Sequence, residues 1–180
     1  MTNIKWIISL GLFVSLIIGL SGLWSSGWAK LRISAGAVVQ ATELTVRQIE
    51  EAFNRAEEAI KEEDLDALMH IYSKNYRYQN YTKADMRKIW EEFFKKYDRI
   101  STLHSFSRIL VKSGKRRTAE VVCTGSLWAT ASDTHQRVNL ASWLGNTHYL
   151  IYEDGEWRIL GQGTKVSEPS TFRKVPPPLF

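Results

Sequence analysis

Residues 45–61 read TVRQIEEAFNRAEEAIK. Val46, Ile49, Phe53, Ala56 and Ile60 recur at spacings of three and four, which sets them on one face of a helix. Glu50, Glu51, Arg55, Glu57, Glu58 and Lys61 fall mostly on the other face and read as its solvated side. Thr45 and Gln48 have capping-box spacing, which places the helix start at Thr45. A helix with one apolar stripe must bury that stripe against another layer. The aromatic second half of the chain offers the surface.

Downstream, Glu62-Glu63-Asp64 breaks the period, and Asp64 caps a shorter helix with Leu65, Leu68, Met69 and Tyr72. Tyr76, Tyr78 and Tyr81 alternate through a short strand. Thr82 caps a third helix, with Asp85 near its positive end. Met86, Ile89, Trp90, Phe93, Phe94 and Tyr97 form the apolar stripe of that helix. From residue 101 the period changes to two. It predicts strands over 103–111, 118–131, 137–152 and 156–162, with a bulge or bend at Gly145. Asp154-Gly155 is a two-residue hairpin signal between the last two strands. Helices precede strands instead of alternating with them, so the class is α+β. The expected architecture is three N-terminal helices packed on a strongly curved antiparallel sheet, forming a cone with a cavity.

The flanks differ in composition. Residues 6–29 carry no charge after Lys5, a run long enough for the roughly 20 residues that span a bilayer. A basic start, an apolar run, and Gly27 and Ala29 at the −3 and −1 positions form a secretory signal pattern. Residues 1–29 therefore read as a signal peptide, with an N-terminal membrane anchor as the alternative. The expected location is periplasmic or extracellular, or membrane-attached through that segment alone. Residues 30–44 read as a linker, and residues 164–180, with Pro169 and Pro176-Pro177-Pro178, as a flexible tail.

Several stretches resemble a known family. KEEDLDALMHIYSKNYRY is similar to an acidic break before an apolar helix and a Tyr-rich strand. YTKADMRKIWEEFF is similar to a third helix, and HYLIYEDGEWRILGQG to a closing hairpin. In this order they resemble the nuclear transport factor 2-like superfamily, which includes SnoaL-like cyclases and ketosteroid isomerases. The resemblance spans about residues 45–162 and places the domain at 45–163. It implies a fold and a pocket but no single activity, because this fold hosts enzymes and binding modules alike.

Composition and motifs narrow the chemistry. The net charge of +5 is spread along the chain and does not by itself indicate nucleic acid. Lys112, Lys115, Arg116 and Arg117 form the densest basic cluster, which reads as a solvated hairpin loop. Cys123 is the only cysteine, so an intrachain disulfide is excluded. It reads as a small buried hydrophobe. His70, His104, His135 and His148 lack zinc spacing, the serines lack a nucleophile elbow, and the glycines lack a phosphate loop. No metal or cofactor is expected. Glu120, His104 and His148 are the weak catalytic candidates, each with a simpler solvent-facing reading. Tyr78, Tyr97, Trp128, Trp143 and Tyr149 are the candidate ligand-binding residues, since rings with a polar tip suit a partly apolar cavity.

Two readings follow. One is a non-catalytic exported module that binds a small apolar or aromatic ligand, or another protein, and pairs with its twin through the sheet. The other is a SnoaL-like or ketosteroid-isomerase-like enzyme on a small apolar or polyketide-like substrate. An inward acid or histidine with a hydrogen-bond partner is the feature that separates them.

Overall fold

The computed structural model describes residues 31–163. The apolar N-terminal run and the Pro-containing tail lie outside these residues. Among those described, no helix is long and apolar enough to cross a membrane.

The first element is a strand, β1 (Arg32–Gln40), where the sequence suggests a linker. Its β-branched Ile33, Val38 and Val39 suit a pleated surface. Gly36 and its small neighbours hide that pattern. Gly36 adopts φ 81°, and the register with the neighbouring strand shifts between Ile33 and Val38.

Helix α1 (Glu43–Lys61) follows at once. It begins earlier than the spacing of Thr45 and Gln48 suggests. Thr42 is the cap, and its side chain accepts from the Thr45 backbone N–H at 3.2 Å. Thr45 lies inside the first turn and is buried. Ile49, Phe53, Ala56 and Ile60 are buried as the period requires, with Val46 packed beside them.

Asp64 caps α2 (Leu65–Met69) by accepting from the Ala67 N–H. The Tyr-rich stretch forms two very short strands, β2 (Arg77–Tyr78) and β3 (Tyr81–Thr82). Thr82 then caps α3 (Lys83–Phe94) in a capping box with Asp85. These hydrogen bonds hold the Asp85 carboxyl below its usual range. Thr82→Ala is expected to cost about 1 kcal/mol, read as a lower urea midpoint with an unchanged slope. Met86, Trp90 and Phe93 are buried. The Trp90 indole N–H donates to the Tyr72 hydroxyl at 2.9 Å.

Four long strands complete the chain: β4 (Tyr97–Lys112), β5 (Thr118–Ala131), β6 (Arg137–Glu153) and β7 (Glu156–Gly163). The sheet order is β1-β4-β5-β6-β7. β4 through β7 pair antiparallel, but β1 joins β4 in parallel. The sheet is therefore mixed, not antiparallel as expected. Gly145 has φ 66°, next to a register shift between β5 and β6, so the expected bulge is present. Asp154 and Gly155 both have positive φ, as a primed hairpin turn requires.

The two sheet edges differ. β7 is covered: the Ser73 N–H donates to the Ile159 carbonyl, and the Ile159 N–H to the Ile71 carbonyl. β1 is interrupted by its irregular turn at Gly36. Both devices discourage strand addition at an edge. α1 packs against β4 and β7, so the inner face of the sheet and the apolar stripe of α1 make one core.

Candidate functional site

Strand alternation decides which candidates meet. On β4, Thr102, His104 and Phe106 point toward α1, while Leu103 and Ser105 point away. On β6, the bulge at Gly145 resets the parity. His148 then faces inward and Tyr149 outward, so these neighbours in sequence occupy opposite faces.

His104 and His148 therefore converge beneath α1. Each is 0% exposed, which corrects the solvent-facing expectation for both. The Phe53 ring stands edge-on to each, with centroid separations of 5.7 Å, and lies 5.0 Å from Phe106. Trp143 lies 5.2 Å from His104.

His104 Nδ1 is hydrogen-bonded to Glu57 Oε1 at 2.8 Å. The Glu57 side chain is only 13% exposed. Sequence reasoning placed Glu57 on the solvated face of α1. One signal was present: Glu57 lies one turn after Phe53, at the margin of the apolar stripe. Burial, together with the neighbouring His104, pushes His148 down to about 3, so this imidazole is neutral in the folded protein at ordinary pH.

Cys123 shares this interior. The Trp143 indole N–H donates to its sulfur at 3.4 Å, and burial pushes the thiol up to about 11. A thiol held protonated is a packing group, not a nucleophile.

The remaining candidates lie elsewhere. Glu120 is on the outer face, paired with Lys112 at 2.6 Å and opposite Tyr149 in register. Tyr78 is buried in the small two-stranded hairpin. Tyr97 stacks on Phe93 at 4.8 Å. Trp143 is 7% exposed and faces inward. Trp128 and Tyr149 are 40% and 42% exposed on the outer face, away from α1. The structure thus does not gather the five rings around one space. A separate cleft of about 200 Å³ lies between α1, α2 and the β6–β7 turn. Ala52, Ala56, Ala67 and Ile71 line it, with Arg55 and Glu156 at its rim. None of the five rings lines it. Among the described residues, no group of three or more His, Cys, Asp or Glu is placed to hold a metal ion.

No family model matches the chain, and no curated protein matches it. Solved structures do. A conserved protein from Planctomyces limnophilus superposes with TM-score 0.59 at 12% identity, over 67% of this chain and 94% of that one. A putative aromatic ring hydroxylase from Novosphingobium aromaticivorans gives 0.54 at 11%, over 68% and 89%. A ketosteroid isomerase-like protein from Erwinia carotovora atroseptica gives 0.51 at 14%, over 67% and 95%. The fold is that of the nuclear transport factor 2-like superfamily. At these identities the likeness speaks for the nuclear transport factor 2-like fold and not for an activity. It agrees with the order of helices and closing hairpin from which the resemblance was read.

Proposed function

We propose that this domain is a non-catalytic interaction module that pairs with a second copy of itself through the outer face of its sheet. The observation that carries this reading is the exposure there of Leu103 (42%), Trp128 (40%) and Tyr149 (42%). Around them the face carries short hydroxyl side chains, among them Ser101, Ser105, Thr124 and Ser126. The Lys112–Glu120 ion pair sits at one end of β4 and β5, beside Tyr149, and Arg137 reaches Ser101 next to Trp128, so the stretch poor in charge is the one around Leu103. A centre poor in charge with exposed aromatic rings is the composition of an interface core. Both edges resist strand addition, so pairing by face is favoured over pairing by edge. An isologous contact between two such faces closes at the dimer.

Sedimentation of the full chain at micromolar concentration tests the reading. The wild type is expected to run as a dimer. Leu103→Asp and Trp128→Asp each place a charge at the centre of the contact and are expected to yield monomer. A wild type that is monomeric throughout would refute the reading. Residues 1–29 are proposed to export the domain or to anchor it, and N-terminal sequencing of the mature protein separates the two. An intact Met1 in the cytoplasmic fraction would refute both.

The Glu57–His104 pair favours a second reading. A carboxylate that orients a histidine is the acid–base arrangement of an enzyme acting on a small apolar substrate. Its obstacle is access, because both histidines are fully buried and the cleft beside α2 is not lined by them. Turnover of a small aromatic or polyketide-like compound that disappears in His104→Gln, with the fold intact, would establish this reading over the first.

A further inference from the structure

One end of the domain gathers exposed aliphatic side chains beside exposed cations. β1 runs parallel to β4 and pairs Gln40 with Leu110, so it finishes beside the turn that joins β4 to β5. α1 starts at the same end, with only Ala41 and Thr42 between it and β1. Val38 is 52% exposed, Val39 40% and Leu44 59%. In the turn, Lys112, Ser113, Gly114, Lys115 and Arg116 are all exposed. We propose that this end is a docking surface for an anionic lipid bilayer. The aliphatic side chains enter the bilayer interface, and Lys115 and Arg116 meet its headgroups.

Alone, neither half of this surface would call for a ligand, since single exposed aliphatic residues are ordinary. Side by side they make the combination that an interfacial membrane contact uses, with apolar area inserted and cations on charged headgroups. Nucleic acid would ask for stacking rings beside the cations, and the exposed apolar residues here are aliphatic. The charge balance at this end is positive. Lys112 is held by Glu120 and Arg47 by Glu43, while Arg117 folds back over the Tyr152 ring at 4.2 Å. Among the described residues no ion pair holds Lys115 or Arg116, so both charges are available. The exposed Asp154 belongs to the β6–β7 turn, two strand spacings or about 10 Å away on the side remote from β1.

Position in the chain points the same way. Residues 6–29 carry no charge, and Lys30 and Leu31 alone separate them from β1. A chain held in a bilayer by that run keeps the start of β1 within about 7 Å of extended backbone from it. The surface shares no residue with Leu103, Trp128 or Tyr149, so it is compatible with pairing through the outer face.

The test labels Ser113→Cys, in the full chain, with a dye whose emission shifts to the blue on leaving water. Cys123 is buried and does not compete for the dye. Thr134→Cys, in the β5–β6 turn at the other end of the sheet, is the control. The protein is reconstituted in vesicles of phosphatidylcholine alone or of phosphatidylcholine with phosphatidylglycerol. Residues 1–29 are the same in every sample, so any insertion by them cancels. A blue shift is expected at position 113 in the anionic vesicles only, absent at position 134 and reversed by high salt. Lys115→Glu with Arg116→Glu is expected to abolish the shift, and Val38→Ser with Leu44→Ser to reduce it by at least about half. All four side chains are exposed, so the fold survives these changes. A shift that is equal in neutral and anionic vesicles, is kept in the charge-reversed variant, or is untouched by the two serine changes overturns the proposal. An equal shift produced by a single-stranded oligonucleotide in place of vesicles would assign the cations to nucleic acid and overturn it as well.

Discussion

Phe53→Ala is expected to lower the stability of the domain by about 3–5 kcal/mol, the largest loss from any single truncation in α1. Phe53 is 0% exposed and is the central residue of the α1 stripe. Its ring touches β4 through Phe106 and His104, and β6 through His148. Removing it takes apolar contacts from three elements at once and leaves a cavity bordered by two imidazoles. The backbones of α1 and the sheet cannot close that gap without moving a whole helix, so relaxation recovers little of the loss. Urea unfolding of wild type and variant at pH 7.5 measures it. A change below about 1 kcal/mol would mean that Phe53 does not occupy this place.

Gly125→Val is expected to prevent folding, and Gly125→Ala to cost about 1–3 kcal/mol. Gly125 lies opposite Trp143 in the β5–β6 register. A Cβ at this position would collide with the Leu103 carbonyl oxygen on one side and with the Trp143 indole on the other. The carbonyl belongs to a paired strand and cannot retreat. The indole is held by its N–H on the Cys123 sulfur. Space, not backbone freedom, is the reason for glycine here. The double variant Gly125→Ala with Trp143→Phe removes one of the two collisions. It is expected to recover part of the loss, measured as a thermal midpoint above that of Gly125→Ala. Full stability in Gly125→Ala alone would contradict the packing described.

The local signals in this chain were strong where the period was regular. The stripe of α1 announced its buried face. Asp64 and Thr82 announced the caps of α2 and α3, because a side-chain oxygen beside free N–H groups is a local matter. Asp154-Gly155 announced the hairpin between β6 and β7, since only residues tolerant of positive φ suit that turn. Together these settle the α+β class and the order of elements, from which the family resemblance followed. β1 escaped notice because Gly36 breaks its alternation. Its pairing with β4 is parallel and joins residues about seventy positions apart, such as Arg32 and Ser105.

The candidate site was less legible. Trp128 and Trp143 both look like pocket rings in sequence, yet one faces outward and the other inward. The register shifts between Cys123 and Gly125 and between Leu127 and Trp128 set which face each ring takes. A bulge inverts every side chain beyond it, and its position depends on both strands, not on one. The histidines show the same effect. His104 and His148 lie on β4 and β6, with the whole of β5 between them in sequence, and come together only because β4 and β6 flank β5 in the sheet. Glu57 reaches His104 only because α1 crosses that face. Sequence alone determined the elements, their caps and turns, and the side of α1 that is buried, all of which depend on residues within a few positions of each other. Tertiary structure alone decided the parallel strand, the parity of the rings and the Glu57–His104–His148 cluster, because each depends on strand register and on packing between distant segments.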